Sequence, residues 1–118
     1  MDIELQKELS ELANEQIKLA REYYEARDAA GKAHVELRIL LVAKLKGFRA
    51  AKSNIGKDMA ELMLLEDDLH ARDLYKIREE QTYIYKGLEL LIEAIQSKIS
   101  MKQSWMKYQL KGEQYGAF

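Results

Sequence analysis

Two histidines and twenty carboxylates are the groups with which this chain could bind a metal or move protons. Asp67 and His70 stand three residues apart with Glu66 beside them, a spacing that turns two ligands toward one helix face as in half of a di-iron bundle site. Such a site needs a second copy of the motif and carboxylates from further helices, and the sequence supplies neither. Gly56-Lys57 lacks both the glycine five residues upstream and the Ser or Thr that a phosphate loop requires. The five serines occupy ordinary helical positions with no base set beside them, and there is no cysteine to serve as thiolate or metal ligand. These absences predict a protein that is not an enzyme and uses no metal, no cofactor and no small-molecule substrate.

Basic residues make a stronger candidate for binding. Residues 31–57 carry seven bases (Lys32, Arg38, Lys44, Lys46, Arg49, Lys52 and Lys57) against the single acid Glu36, although the whole chain has a net charge of −1. The flanking stretches are acidic: residues 1–30 sum to −4 and residues 58–80 to −5, while residues 81–118 return to +2. Cationic side chains along a helix attract phosphate by counterion release, and exposed aromatic rings stack on unpaired bases. The candidate nucleic-acid-binding set is therefore Arg38, Lys44, Lys46, Arg49, Lys52, Lys102, Trp105, Lys107 and Tyr108. The competing reading makes these charges a solvated helix face and Trp105 a core residue.

The elements that would position these groups are helices. Proline is absent, only six glycines occur in 118 residues, and 47% of the residues are hydrophobic against 33% charged, which suits one helical domain. Leu74, Ile77, Gln81, Ile84, Leu88, Leu91, Ile95, Lys98, Lys102 and Trp105 follow at alternating steps of three and four, the seam of a long amphipathic helix. Tyr85, Ile92, Ile99, Met106 and Leu110 widen that face, so this helix needs partners on more than one side. Lys98 and Lys102 lie on the seam, where they would snorkel or meet acids. Upstream, Leu5, Leu9, Leu12, Gln16, Leu19, Tyr23, Ala26 and Ala30 form a heptad seam whose phase carries through Gly31 to Leu37 and Leu40. Gln16 would fix register or oligomer number if buried, or sit at a solvated edge.

The clearest break is Glu66-Asp67-Asp68, with Asp68 as N-cap and Leu69 first inside the next helix. This predicts a long antiparallel helical hairpin, helix A over about 2–66 and helix B over about 69–111, with further breaks conceivable at Gly31 or at 53–56 and a frayed tail over 112–118. A turn at 67–68 pairs residues whose numbers sum to about 135, leaving residues 2–24 as roughly 35 Å of uncovered seam. The seam residues Leu5, Leu9, Leu12, Gln16, Leu19 and Tyr23 are therefore expected to be buried against another copy of the chain or another protein, with hairpins self-associating into a helical bundle. A break at Gly31 would instead fold the first segment back as a three-helix bundle. The longest apolar run, Ile39 to Ala43, is far too short to span a bilayer and the start is acidic, so a cytoplasmic protein without membrane contact is expected.

From Phe48 through Arg49-Ala50-Ala51-Lys52-Ser53-Asn54-Ile55-Gly56-Lys57-Asp58-Met59 to Ala60, and again from Tyr85 through Ile95 to Tyr108, the chain resembles small helical proteins encoded by phages and prophages of Gram-positive bacteria. The resemblance spans about residues 35–110 and transfers no functional residue. It implies an origin in mobile DNA and action inside a bacterial host cell. In that setting small proteins bind host defence factors or serve beside single-strand-binding and recombination proteins. The expected function is therefore binding of another protein by a self-associating hairpin, with a nucleic-acid-binding accessory of phage replication or recombination as the alternative.

Overall fold

The structure is a computed structural model that describes residues 3–51 and 56–115. It is all-α, with α1 (Ile3–Ala51), α2 (Lys57–Asp67) and α3 (Leu69–Tyr115) and no strand among the described residues. Helix α1 runs through Gly31 without interruption, and a Cβ at Gly31 would meet nothing within 4 Å, so the glycine lowers helix propensity without breaking the phase. The single helix expected over 2–66 is two helices: α1 stops at Ala51, and α2 begins after Gly56, whose extended backbone (φ −68°, ψ 160°) forms the N-cap without a side-chain bond. Of the alternative break at 53–56, Gly56 is outside the helices and residues 53–55 lie outside the described residues. At the other end, α3 remains helical through Gly112 to Tyr115 where fraying was expected from Gly112.

One residue joins α2 to α3. Asp68 has extended backbone (φ −101°, ψ 110°), and its N–H donates to Leu64 O at 2.8 Å to close α2. Its Oδ1 accepts the Ala71 N–H at 3.0 Å and its carbonyl accepts the Arg72 N–H at 3.0 Å, which caps α3. The other carboxylate oxygen accepts Lys44 Nζ from α1. Arg72 reaches back to the carbonyls of Leu65 and Glu66, satisfying acceptors that the end of α2 leaves without intrahelical partners.

Two compact units can be distinguished. In residues 25–85 the last half of α1, α2 and the start of α3 pack as three helices. Leu37, Ala71 and Leu74 form the buried core, with Leu40, Leu41 and Leu65 against it, and Ala60 and Leu64 bury the inner face of α2. Ala30 and Ala33 are also buried, and such small residues let helices approach closely. Pairing in this unit joins Lys44 with Asp68 and His34 Nδ1 with Arg78 Nη1 at 3.2 Å, so paired numbers sum to 112 rather than 135. His34 and His70 therefore belong to the same unit and not to opposite ends of a hairpin.

Residues 3–24 and 86–115 form the other unit, an antiparallel pair of helical segments. Gln16 Nε2 donates to Gln96 Oε1 at 2.9 Å and Lys102 donates to Glu8, giving sums of 112 and 110. The seam Leu5, Leu9, Leu12, Gln16, Leu19 and Tyr23 is thus buried or half-buried within its own chain, and the expected uncovered overhang does not exist. The physical reason lies in this unit's own contacts: α3 runs alongside the segment from Ile3 to Tyr24 and covers its seam. Gln16 is half-buried and its bond to Gln96 lies at the exposed edge of this contact.

Two outcomes follow from this packing. Leu37 is 1% exposed, so Leu37→Ala should cost about 2–5 kcal/mol in urea denaturation. The Lys44 hydrogen bond, followed by that from Ala71 N–H, holds the Asp68 carboxyl below its ordinary pKa of 3.8. A depressed folded pKa contributes stability above the unfolded value, and that contribution is lost as pH falls through the folded pKa. Asp68→Asn keeps a capping oxygen but removes the charge, so its thermal midpoint should lie below wild type at neutral pH. The gap should close as pH drops below about 3.8.

Candidate protein-binding face

Within residues 86–115 the heptad phase of α3 decides which side chains remain available. The residues turned to α1 are Leu88, Ile92, Ile95, Ile99, Lys102 and Met106, with Ile95 and Ile99 buried. The expected seam is therefore split. Its Leu88, Ile95 and Lys102 face α1, whereas Leu91, Lys98 and Trp105, the other half, point outward, and the widening row of Ile92, Ile99 and Met106 takes their place at the contact. In the 25–85 unit the same half-row leaves Ile77 and Ile84 exposed.

The outward residues form a second seam. Gly87, Leu91, Ala94, Lys98, Met101, Trp105 and Tyr108 alternate at steps of four and three, and each is exposed: Leu91 at 53%, Met101 at 73% and Trp105 at 54%. A helix that carries two such seams has two contact faces. Trp105 and Tyr108 stack at 5.7 Å between ring centroids with 19° between planes, which presents one flat aromatic surface. Ring pairs of this kind suit the centre of a protein interface.

The electrostatics beside this seam are mixed, not uniformly basic. An open groove of about 530 Å³ is lined by Glu8, Glu11, Leu12 and Glu15 from α1 and by Lys98, Met101 and Lys102 from α3. A neighbouring groove adds Glu4, Leu5 and Trp105. The four glutamates follow one another at helical steps along a single edge of α1. Lys102 is taken up by Glu8, while Lys107 is exposed.

The residues proposed for nucleic acid are distributed over both units. Arg38, Lys44 and Lys46 are exposed in the 25–85 unit, where Lys44 is committed to Asp68 and Arg38 lines a small cavity with Leu37, Val42, Glu61 and Arg78. Arg49 lies on α1 but its side chain is outside the described residues, as is Lys52 altogether. Lys102, Trp105, Lys107 and Tyr108 belong to the other unit. Trp105 is not a core residue, contrary to the alternative offered for it.

Glu66, Asp67 and His70 are exposed, and among the described residues no group of three or more His, Asp or Glu side chains could hold a metal ion. Among the same residues no helix is long and apolar enough to cross a membrane. Gly87, Ala94 and Met101 are the functional candidates that reading the sequence for a single seam passed over. Their signal was the same three-four spacing, shifted to the outer face of α3. Comparison with family models, curated proteins and solved structures gives no match for this chain.

Proposed function

We propose that this protein is a non-catalytic helical module that acts by binding another protein through the outer seam of α3. The observation that carries this reading is the exposed row Leu91, Ala94, Met101 and Trp105, apolar but for Lys98 within it, on a helix whose neighbouring face is already packed. Such a patch on an otherwise charged helix marks a docking surface. The row of Glu4, Glu8, Glu11 and Glu15 alongside it favours a partner that brings basic side chains to the rim of an apolar contact. The resemblance to phage-encoded helical proteins makes a host defence or replication factor the class of target, in the cytoplasm of a bacterial cell.

One observation favours the nucleic-acid reading: the exposed Trp105–Tyr108 stack beside Lys107. Electrostatics weigh against it, because the glutamates lining the grooves beside Trp105 repel phosphate and Glu8 already engages Lys102. A photo-crosslinking residue placed at Leu91 and, as control, at exposed Glu89 on another side of α3 separates these readings in a Gram-positive host cell. Protein adducts should form at position 91 and not at 89. Equal capture at both positions, or adducts to nucleic acid alone, would refute protein docking through this seam.

A further inference from the structure

The two helical segments of the unit formed by residues 3–24 and 86–115 leave an open groove beside their contact. Its α1 edge is Glu4, Glu8, Glu11 and Glu15, at steps of four, three and four, and its α3 edge presents Met101 and Trp105. Those four carboxylates face two ammonium groups, Lys98 and Lys102, which leaves the groove a charge of −2. Lys102 is already held by Glu8. Among the described residues no ion pair engages Glu4, Glu11 or Glu15. Resting on the reading of the exposed α3 row as a docking surface, we infer that the partner enters as an amphipathic α-helix laid lengthwise in this groove, with basic residues along the flank that faces α1.

The walls of the groove select a helix. Both are helices whose backbone amides and carbonyls are used within themselves, so an extended segment would find no backbone partners here. A helix brings its own hydrogen bonds, and a third helix at the usual separation of about 8–10 Å beside an antiparallel pair completes a three-helix bundle. Glu4 to Glu15 spans about 16 Å, three turns, so a facing helix with Lys or Arg at the same steps of three and four sets a base against each free glutamate. Its apolar stripe covers Leu91, Ala94, Met101 and Trp105. Lys98 stands within that row, so the stripe carries one short or acidic residue where it passes Lys98. The same glutamates repel nucleic-acid phosphates and an identical acidic edge, which leaves a basic helix as the complement in charge as well as in shape.

Trp105 is the only tryptophan in the chain, so its emission reports occupancy of this groove. The probe is a tryptophan-free peptide of about 18 residues, three turns with one more at each end, carrying leucine at the heptad core positions and lysine at the flanking ones. Two controls accompany it: the same composition in scrambled order, and glutamate in place of every lysine. The ordered lysine peptide should shift Trp105 emission to the blue in a saturable titration and gain helical circular dichroism as it binds, and neither control should. Glu4→Gln/Glu11→Gln/Glu15→Gln, at three exposed positions, should keep the helical circular dichroism of the chain and bind that peptide about tenfold more weakly. Glu25→Gln/Glu36→Gln/Glu66→Gln, three exposed changes in the other unit, should bind it as wild type does. A scrambled or glutamate peptide that binds equally well, or a groove variant that binds as tightly as wild type, would overturn the inference. Protein adducts at position 91 in cells, with no binding of the lysine peptide, remove the basic helix and leave the docking reading. No peptide binding and no adducts at position 91 remove both.

Discussion

Asp68 is the residue on which the arrangement of the three helices depends. Its backbone ends α2, one carboxylate oxygen opens α3, and the other holds Lys44 of α1. A hydrogen bond to a charged group contributes more than a neutral one, and here two such bonds converge on one side chain. Lys44 and Asp68 lie side by side at this junction, an exposed pair that marks where the three helices of the 25–85 unit meet. The Leu37–Ala71–Leu74 core assembles next to this point, where burial of apolar side chains supplies the larger share of the stabilisation.

In the other unit the pairing of its two helical segments decides what is left exposed. The segment from Ile3 to Tyr24 finds its partner in α3, and the heptad that looked unpaired is consumed inside the chain. The cost falls on the outside of α3. Its helix carries more apolar rows than α1 can cover, so Leu91, Met101 and Trp105 remain at the surface. The surface available for function is therefore a consequence of the register, and it differs from the one a simple two-helix hairpin would offer.

Helical content, the antiparallel pairing of long helices and the cap at Asp68 were legible in the sequence, because proline is absent and heptad spacing runs almost unbroken. The register was not. Gly56 and the residues before it keep helical spacing, so periodicity alone cannot distinguish one long helix from two, and the difference between pairing sums of 135 and 112 follows from that single ambiguity. The division of α3 into inner and outer seams was half visible. Both rows could be read, but which residues of each face α1 depends on a rotation of the helix that packing decides. The basic block illustrates the same limit. Its charges are real, yet Lys44 and Lys102 are engaged by carboxylates that come near only once the chain has folded.

The central claim is the register, and Gln16 with Gln96 reports it most directly, because their side chains hydrogen-bond at 2.9 Å. We would replace both with cysteine, treat the protein with a short bifunctional maleimide at high dilution, and measure its mass and mobility under denaturing conditions. The account predicts efficient crosslinking within one chain, seen as a compact species of monomer mass. Failure to couple, or coupling only between chains, would mean that the N-terminal part of α1 pairs elsewhere and would contradict the fold on which the exposed α3 seam rests.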